Sequence, residues 1–515
     1  MGYNRLMEKL SIIKSVVTVG LEPQTVDVEI DVGAGLPGLT IVGLPDKAVQ
    51  ESKERVRLAL KNSGFDFPQK KIVVNLAPAD VKKEGPAYDL PIAIGILVAA
   101  GVVRPELIEK IIFLGELSLS GEVRPAKGVI QAAILAHKLD APLVAPSENE
   151  AEANLISNIS FLPAQNLKQL VGDLIADKPP FVQTSGVKVE EIRDYGDYDF
   201  QNIVGQHQAK RALEIAAAGG HNILLSGSPG GGKTLLSRSV TSILPPLEEE
   251  ELLEVTKIYS VAGLLTQEEP IICRRPFRSP HHTTSAVAII GGGTYPKPGE
   301  VSLANKGVLF LDEFPEFPRS VLEALRQPLE DKVVSVSRAQ ATIHFPADFI
   351  LIAARNPCPC GYLGDERHEC SCSSSQIISY NRRVSGPLLD RIDLHLTVGK
   401  MPTKKIQDAI NEESSAAVRK RVVKARQVAL SRSRKIFKIA KTNSFLTKKE
   451  LQKAAKLSEE DSRFFESAVE SLDLSMRSLI KILRVSRTIA DLEGSTQVRG
   501  PHLAEALQYR QKDEK

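Results

Sequence analysis

One short run of glycines, ending in a lysine and a threonine, has the composition of a phosphate-binding loop. It stands between an apolar run at 221–226 and a helical pattern that begins at Leu235. Glycines let successive backbone N–H groups point at phosphates, and a helix that starts at the loop adds partial positive charge. Eight residues are therefore predicted to bind ATP: Gly227, Ser228, Pro229, Gly230, Gly231, Gly232, Lys233 and Thr234.

Two side chains of this loop have chemistry of their own. Lys233 is predicted to reach the β- and γ-phosphates, and the hydroxyl of Thr234 is predicted to bind Mg²⁺. The alternative is a glycine-rich turn without function. The complete spacing between a strand pattern and a helix pattern disfavours that alternative.

Two carboxylates and one amide follow apolar runs that are typical of buried parallel strands. Asp312 and Glu313 follow the run 308–311, and Asn356 follows the run 349–354 with one residue between. The carboxyl ends of parallel strands face the ligand crevice. We therefore predict that Asp312 joins the Mg²⁺ shell, that Glu313 polarises the attacking water, and that Asn356 senses the γ-phosphate. The alternative for the two acids is a pair of surface carboxylates after a core strand.

The bulk composition sets limits on the class of protein. The chain has 515 residues, with 42% hydrophobic and 25% charged, as in globular proteins of about three domains. The net charge of +3 identifies no partner by itself. No N-terminal signal pattern is present, and the longest apolar run, 92–103, is too short to span a bilayer. We predict a cytoplasmic protein without a membrane partner.

Changes in periodicity divide the chain into four segments. Residues 1–175 mix strand and helix patterns and are predicted to form an α+β domain. Residues 176–198 contain Pro179-Pro180 and several charges and are predicted to be a linker. Residues 199–400 contain the phosphate loop and the buried strands of an α/β core, and 401–515 are predicted to be helical. Within the first segment we predict strands at 15–19, 26–32, 39–42 and 71–76 and a hairpin at 113–124. We also predict one helix at 48–60 and a second, apolar helix that follows residues 85–89 and ends at residue 100.

Two arginines lie in separate stretches that resemble parts of known motors. Ser385-Gly-Pro-Leu-Leu-Asp-Arg391-Ile-Asp-Leu394 resembles the arginine-finger segment of magnesium-chelatase motor subunits and minichromosome-maintenance helicases. The resemblance implies that Arg391 contacts a neighbouring subunit's γ-phosphate, where such a residue contributes about 10³-fold or more to turnover. This requires a ring or at least a dimer. The alternative is that Arg391 pairs with Asp390 or Asp393 on the surface. Ser475-Met-Arg477 matches the second sensor arginine of the same proteins.

Further motifs occur in the order of one AAA+ family. They are Pro276-Phe-Arg-Ser-Pro280 with His281-His282, Gly291-Gly-Gly, Pro298-Gly-Glu300, Leu325-Arg-Gln-Pro-Leu-Glu330, Asn356-Pro-Cys-Pro-Cys-Gly361, Thr488-Ile-Ala-Asp-Leu492 and Ala504-Glu-Ala-Leu-Gln-Tyr509. Val204-Gly-Gln206 resembles the adenine-side entry of AAA+ ATPases. Along nearly its whole length the chain is similar to the YifB/ComM family of magnesium-chelatase-like AAA+ ATPases. It departs from that family at Arg355, where Met is more frequent.

The resemblance extends to the first domain, which is similar to the proteolytic domain of Lon-type proteases with its ribosomal-protein-S5-like (domain 2) fold. Those enzymes have a nucleophilic Ser in a Gly-Pro-Ser turn, whereas this chain has Gly85-Pro86-Ala87. Ile130 aligns with their catalytic Lys, and Lys127 lies nearby without aligning. Because a methyl group cannot attack a carbonyl and Ile130 cannot be a base, the resemblance implies the fold without peptidase activity.

Two stretches exceed what a bare AAA+ core requires. Residues 256–306 are rich in Gly, Pro, His and Arg, and in the resembling family this region carries an insertion that points into the pore of the ring. A packed connector is the alternative. Residues 332–337 and 341–345 alternate as two strands of a hairpin. Either Lys332 or Arg338 is a candidate contact to a phosphodiester backbone, and a solvated hairpin tip is the alternative.

Four of the five cysteines are clustered. Nine residues separate the pair Cys358 and Cys360 from the pair Cys370 and Cys372. Four thiolates suit tetrahedral Zn²⁺, and in a reducing compartment such clustering favours a metal over disulfides. We predict a structural Zn²⁺ site, with His368 as a substitute ligand and four free thiols as the alternative.

A basic helix is predicted near the start of the last segment. Residues 419–441 contain ten Lys or Arg and no acid. A stripe of small apolar residues runs along this pattern: Val418, Val422, Ala425 and Ala429. Such a face can bind DNA without sequence preference, and a solvated charged face is the alternative.

These patterns together predict an α/β protein with an inactive Lon-like domain, an AAA+ parallel-sheet core and a helical lid. The family resemblance implies an ATP-hydrolysing hexameric motor that acts on single-stranded or branched DNA. Its expected role is helicase or branch-migration activity during natural transformation, in contact with recombination proteins. Two alternatives stay open, a chelatase-like motor that remodels a partner protein and a scaffold gated by nucleotide.

Overall fold

The computed structural model describes seven stretches of the chain, residues 10–176, 179–186, 196–293, 296–337, 342–365, 367–399 and 412–510. They belong to two compact units. Unit 1 comprises the residues up to 190 together with 249–272, and unit 2 comprises 191–248 and 273–515. The chain therefore leaves unit 2 after residue 248 and returns to it at Cys273.

Unit 1 contains one large mixed sheet and a short hairpin. Its strands are β1 (Leu10–Val19), β2 (Glu22–Gly33), β3 (Gly38–Val42), β4 (Lys71–Ala77), β5 (Ile112–Phe113), β6 (Glu116–Leu117), β7 (Val123–Arg124), β8 (Leu143–Pro146), β9 (Ser160–Ala164) and β10 (Val182–Gln183). The sheet has the order β10-β9-β8-β5-β1-β2-β4-β3, and β6 pairs with β7. The predicted strands and the predicted hairpin of this segment are confirmed.

Five helices of unit 1 pack around this sheet. They are α1 (Lys47–Asn62), α2 (Asp89–Ala99), α3 (Val129–Leu139), α4 (Glu150–Ala153) and α5 (Leu167–Ile175). Every residue of α2 except the last is buried, as expected for a helix without a polar face. Ala87 lies in a 3-10 turn (Pro86–Tyr88) before α2, and Ile130 is buried in α3. Neither side chain offers a nucleophile or a base.

Unit 2 is built on a five-stranded parallel sheet. Its strands are β11 (Ile223–Ser226), β12 (Phe277–Arg278), β15 (Val308–Leu311), β18 (Ile350–Arg355) and β19 (Leu394–Thr397), in the order β12-β15-β18-β11-β19. All four residues of β15 are buried, which is typical of a parallel strand covered on both faces. Two hairpins stand apart from the sheet: β13 (Gly291–Gly292) with β14 (Lys297–Pro298), and β16 (Val333–Ser337) with β17 (Thr342–Pro346). The second is the hairpin predicted before Asn356.

Helices surround this sheet and form most of the last hundred residues. Those that precede residue 400 are α6 (His207–Gly219), α7 (Lys233–Ile243), α8 (Glu249–Ala262), α9 (Ala286–Ile290), α10 (Glu300–Leu303), α11 (Arg319–Ala324), α12 (Arg326–Asp331), α13 (Ser374–Asn381) and α14 (Gly386–Leu389). Those that follow are α15 (Ser415–Phe437), α16 (Lys448–Ala455), α17 (Glu459–Ser471), α18 (Met476–Leu492) and α19 (Gly500–Gln508).

Helix α8 is the exception, because it belongs to unit 1 rather than unit 2. It packs on α3, where the Gln131 amide donates to the carbonyl of Lys257 at 3.4 Å. The carboxylate of Glu152 also lies 3.4 Å from the Ser260 hydroxyl. The first third of the stretch expected to form the insertion, up to Ile272, is therefore packed within unit 1.

The helices after residue 412 share one hydrophobic core with the sheet of unit 2. Side chains of α15 and α18, such as Val422 and Ile489, pack in the same cluster as Ile223 and Ile352 of the sheet. Among the described residues, no helix combines the length and the apolar character needed to cross a lipid bilayer.

Candidate active site

The phosphate-binding loop joins β11 to α7 in a conformation that only glycine adopts easily. Gly230 and Gly232 have φ values of +77° and +82°, in the left-handed region. At Gly227 a Cβ atom would lie 2.2 Å from the carbonyl oxygen of Val398, so a side chain does not fit there. The N–H of Gly231 donates to the carbonyl of Ser228 at 3.2 Å and closes a turn. The glycine spacing seen in the sequence thus has a steric cause.

Lys233 is the first residue of α7, and its side chain is folded into the loop. Its ammonium group donates to the carbonyls of Gly227 at 2.6 Å and Ser228 at 3.1 Å, and to Oδ1 of Asn356 at 3.2 Å. The residue is only 9% exposed. Burial lowers the pKa of Lys233, and the nearby Asp312 carboxylate opposes that shift. The structure therefore brings the predicted lysine and the predicted sensor amide together.

Thr234 and Asp312 form the predicted pair of oxygen ligands. The Thr234 hydroxyl donates to Oδ2 of Asp312 at 3.0 Å, although 78 residues separate them in the chain. The other carboxylate oxygen of Asp312 accepts the backbone N–H of Glu313 at 2.9 Å. A hydroxyl and a carboxylate beside a lysine and a glycine loop are a donor set that suits Mg²⁺ together with a phosphate.

Glu313 has a partner that the sequence analysis assigned no role. Its backbone is left-handed, with φ of +50°, and its side chain is half exposed. One carboxylate oxygen lies 3.1 Å from Nδ1 of His282, whose ring stands edge-on to Phe317 at 6.5 Å. His282 follows the carboxyl end of β12, and the carboxyl ends of parallel strands share one edge of the sheet. From the sequence, this topological rule could have predicted that His282 lies near Glu313.

Gln206 connects the predicted entry segment to the loop. Its side-chain amide donates to the carbonyl of Gly399 at 2.8 Å and to that of Gly231 at 3.4 Å. Both Gly205 and Gln206 have left-handed backbones. The segment 204–206 therefore contacts the phosphate loop directly.

The two predicted arginines lie at the opposite edge of the sheet. Arg391 precedes β19, whose first residue, Leu394, pairs with Ile223 at the start of β11. The phosphate loop instead follows the last residue of β11, and four strand residues span about 13 Å. Arg477 reaches the same edge, since its guanidinium pairs with Asp390 at 2.7 Å. Within the described part of the chain, neither arginine bonds to residues 227–234.

Arg391 has a different partner from either acid considered in the sequence analysis. Its Nη2 lies 2.6 Å from a carboxylate oxygen of Glu330, and its Nη1 donates to the carbonyl of Pro387 at 2.5 Å. The Arg391 side chain is 16% exposed, whereas that of Glu330 is 62% exposed. The proposed pairing with Asp390 or Asp393 is wrong, because Asp390 pairs with Arg477 and Asp393 with His221.

A cleft of about 280 Å³ contains both arginines. Lys481 and Arg484 of α18 also line it, and burial lowers the pKa of both groups. The acids of this cleft are Glu330, Asp390 and Asp393. The cleft is therefore a concentration of cations, each already in contact with a carboxylate or a carbonyl.

The four clustered cysteines converge as predicted. Sγ of Cys358 lies 3.3 Å from that of Cys360 and 3.6 Å from that of Cys370, and all four sulfurs fall within 4.8 Å of one another. Tetrahedral Zn²⁺ with Zn–S bonds of 2.3 Å places sulfurs about 3.8 Å apart. The backbone N–H of Tyr362 lowers the pKa of the Cys360 thiol to about 6.

His368 is outside this group of sulfurs. Its Nδ1 lies 3.4 Å from the Asp365 carboxylate, and its ring stacks on Tyr362 at 4.8 Å. A substitute-ligand role for His368 is therefore not needed, because all four cysteines are already together.

Helix α15 has the predicted buried stripe, but several of its cations have structural partners. Arg421 pairs with Glu214 at 2.7 Å, and both terminal nitrogens of Arg432 contact Asp491 at 2.5 and 2.7 Å. Five further cations of the predicted basic helix are exposed: Lys420, Lys424, Arg434, Lys435 and Lys438. The surface open to an anionic polymer is thus about half of what the sequence indicates.

The cations around the two hairpins also have internal contacts. Arg278 forms a two-pronged pair with Glu300 at 2.6 and 2.7 Å, and Arg275 donates to backbone carbonyls. Lys332 lies before β16 with its ammonium 4.3 Å from the Phe445 ring centroid and 3.3 Å from Asp348. The expectation that Lys332 contacts a phosphodiester is wrong, because this group is enclosed. Arg338 lies outside the described residues.

Comparison with protein families gives three matches. "Magnesium chelatase, subunit ChlI" matches residues 199–406, "Subunit ChlI of Mg-chelatase" matches 28–149, and "Magnesium chelatase, subunit ChlI C-terminal" matches 412–510. These matches cover most of the chain, including the phosphate loop, Arg391 and Arg477.

Comparison with individual proteins gives full-length relatives. The chain is 45% identical over 507 residues to "Competence protein ComM" of Haemophilus influenzae, with 97% of each chain covered. It is 42% identical over 507 residues to "Uncharacterized protein YifB" of Salmonella typhimurium, with the same coverage. A Lon protease of Methanosarcina barkeri is 25% identical over 160 residues, which is 28% of this chain and 20% of that protein.

Proposed function

The chain belongs to the YifB/ComM family of magnesium-chelatase-like AAA+ proteins, and from this premise we propose that it is an ATP-hydrolysing ring motor that acts on DNA. The observation that carries the proposal is the convergence of Lys233, Thr234, Asp312 and Asn356 at one edge of the parallel sheet. A loop with that composition and those partners suits the phosphates of ATP.

Each residue of this edge has a role in the proposed reaction. The loop amides and Lys233 hold the phosphates, and Thr234 and Asp312 hold Mg²⁺, which when bound neutralises charge on the β- and γ-phosphates. Glu313 orients and polarises the attacking water as a general base. Asn356, held by Lys233, contacts the γ-phosphate.

The second edge of the sheet supports the proposal of a ring. Arg391 and Arg477 lie about a strand's length from the loop of their own chain, so we propose that both act on the nucleotide of a neighbouring copy. An arginine supplied by a neighbour stabilises the charge that develops during phosphoryl transfer. Such a head-to-tail contact closes into a ring, and we propose a homo-hexamer with residues 401–515 as its helical lid.

The proposed substrate is single-stranded or branched DNA. The support is the name of the full-length relative, "Competence protein ComM", together with the exposed cations of α15. We propose helicase or branch-migration activity during natural transformation, in the cytoplasm and in contact with recombination proteins. One observation favours a motor that remodels a protein instead, since several basic side chains of α15, and Arg278 of β12, are engaged internally.

Unit 1 is proposed to be a Lon-like domain without peptidase activity. The support is the Lon protease match and the presence of Ala87 and Ile130 where a nucleophile and a base would be required. The cysteine cluster is proposed to bind a structural Zn²⁺ through Cys358, Cys360, Cys370 and Cys372.

A single assay tests the central proposal. ATP hydrolysis and strand displacement on forked DNA are measured for the wild type, for Lys233→Ala and for Lys453→Ala, a control on the exposed side of α16. We expect Lys233→Ala to lose about 100-fold or more of the hydrolysis and all strand displacement, and the control to keep both.

The result also separates the alternatives. Stimulation of the ATPase by branched DNA with a steep salt dependence supports the DNA motor. Stimulation by a protein alone supports remodelling. A protein that stays monomeric with ATP and Mg²⁺ and hydrolyses no ATP with any polymer would overturn the motor proposal.

A further inference from the structure

The segment that carries two of the cysteines lies directly against the phosphate loop. The segment begins with Asn356, whose side-chain oxygen accepts a hydrogen bond from the Lys233 ammonium group. Gly361 follows five residues later. Gly361 has φ of +86°, and a Cβ atom there would lie 2.7 Å from Cδ of Pro229. Real Cβ atoms do not approach other heavy atoms that closely, so this contact forces either a glycine or a displaced loop.

The cysteines join this segment to the start of the next helix. Cys358 and Cys360 lie within it, and the N–H of Cys360 donates to Sγ of Cys372 at 3.4 Å. Cys372 directly precedes α13, which is closed at its N-terminus by a capping box between Ser373 and Gln376. The sulfurs therefore connect a segment that touches the phosphate loop to a helix with a defined start.

Without a cross-link, few interactions would keep the loop between Cys358 and Cys372 rigid. Its described residues include few buried apolar side chains. Closing the loop by four metal–sulfur bonds would remove most of its conformational freedom. Ordering the loop also fixes Gly361, which lies within the cross-linked chain, and restrains Asn356, which lies two residues before Cys358. The two contacts to the nucleotide site, at Pro229 and at Lys233, then depend on the cross-link.

We propose that the four-cysteine metal site is a positioning element of the nucleotide site, which holds the phosphate loop and Asn356 in their binding geometry through Gly361. This inference rests on the proposed ATP site and Zn²⁺ site. Zinc loading then sets the affinity for nucleotide, in addition to any effect on folding.

Two glycines of the same loop provide a matched test. Gly361 and Gly364 both have left-handed backbones, with φ of +86° and +77°, but a Cβ at Gly364 would meet no atom within 4 Å. Gly361→Ala and Gly364→Ala therefore impose similar backbone strain, and only Gly361→Ala presses on Pro229. Neither variant removes a sulfur.

The measurements are the zinc content of the purified full-length protein and the dissociation constant of a fluorescent ATP analogue. We expect Gly361→Ala to keep its zinc and to bind the analogue about tenfold or more weakly. Gly364→Ala should match the wild type in both. The double variant Cys370→Ser/Cys372→Ser should lose zinc and weaken binding by a similar factor, with circular dichroism to check that it folds.

Other outcomes overturn the inference in distinguishable ways. If Gly361→Ala binds nucleotide as tightly as Gly364→Ala does, the positioning role is wrong even if the cysteine variant fails to fold. If a folded zinc-free variant binds nucleotide like the wild type, the role of the metal is wrong and the ATP site stands. If the wild type contains zinc and binds no nucleotide, the proposed function itself has failed.

Discussion

The two edges of the parallel sheet in unit 2 differ in what they can do alone. At the carboxyl edge, the loop glycines, Lys233, Thr234, Asp312 and Asn356 contact one another and form a cradle suited to a phosphate. At the amino edge, Arg391 and Arg477 are held by carboxylates. The groups of one edge suit an anion, whereas the cations of the other already have acidic partners. The difference is the basis of the proposal that a complete site combines the carboxyl edge of one copy with the amino edge of another.

The largest effect on ATP hydrolysis should come from removing Arg391 of the amino edge. Under the proposal that the Arg391 guanidinium stabilises transition-state charge, Arg391→Ala is expected to lower the turnover number for ATP by about 10³-fold or more. The affinity for nucleotide should change little, since Arg391 lies away from the phosphate loop of its own chain. The measurement is steady-state ATP hydrolysis together with equilibrium binding of an ATP analogue.

A mixing experiment makes this prediction sharper. Arg391→Ala has intact phosphate loops, and Lys233→Ala has intact arginines, so mixed rings contain some complete interfaces. Hydrolysis should therefore reappear when the two inactive variants are mixed. Arg383→Ala is the control, since Arg383 is exposed, pairs with Glu316 and lies between α13 and α14. Absence of recovery in verified mixed rings would refute sharing of the site between copies.

The next effect concerns the carboxyl edge alone. Glu313→Gln keeps the shape of the side chain and removes its basicity, so hydrolysis should fall by about 10²- to 10⁴-fold while ATP stays bound. Glu316→Gln, three residues later and paired with Arg383, is the matched control. DNA remodelling that survives in Glu313→Gln would instead support a scaffold gated by nucleotide.

A smaller effect is expected at the partner of that carboxylate. His282 lies 3.1 Å from Glu313 and holds it in one orientation, so His282→Ala should lower the turnover number by about tenfold, or 1.4 kcal/mol. Nucleotide affinity should stay constant, because in the described part of the chain the contacts of His282 are with Glu313, His281 and Phe317. His281→Ala is the control, since the His281 ring lies beside that of His282 and its Nδ1 bonds to Thr283. Equal losses in both variants would assign the effect to packing.

The carboxyl edge was the more predictable half of the molecule. The phosphate loop, Asp312 and Asn356 each follow an apolar run, and the rule that parallel strands end at one edge is sufficient to bring them together. The cysteine spacing was likewise sufficient to predict that the four thiols converge. For these residues, the sequence pattern and the strand topology predict the same positions.

The amino edge was less predictable for a physical reason. The partner of Arg391 is Glu330, 61 residues earlier in the chain, and no periodicity links the two. For the same reason, the sequence did not predict that α8 packs in unit 1 or that Lys332 lies under the ring of Phe445. Long-range pairings of charged groups depend on how whole elements pack, and a single sequence carries little information about that.

The smallest expected effect tests whether the acids of the amino edge restrain its arginines. Hydrogen bonding from Arg391 lowers the pKa of Glu330, so at neutral pH the carboxylate is charged and the pair is intact; protonation breaks it only as pH falls through that lowered pKa. A phosphate from a neighbouring copy must compete with this carboxylate for Arg391. Because Glu330 is largely exposed, the restraint is worth about 0.2–1 kcal/mol, and Glu330→Gln should raise the ATPase by about 1.4- to 5-fold.

The control is Glu323→Gln, which removes a less exposed carboxylate, 33% against 62%, from its pair with Arg326 and leaves the Arg391–Glu330 pair in place. The rise in Glu330→Gln should shrink at high salt, because screening weakens the exposed pair in the wild type as well. A fall in activity would show the opposite relation, in which Glu330 aligns Arg391 for the neighbouring nucleotide rather than competing with it. In that case the amino edge is preorganised, like the carboxyl edge, and the contrast between the two edges disappears.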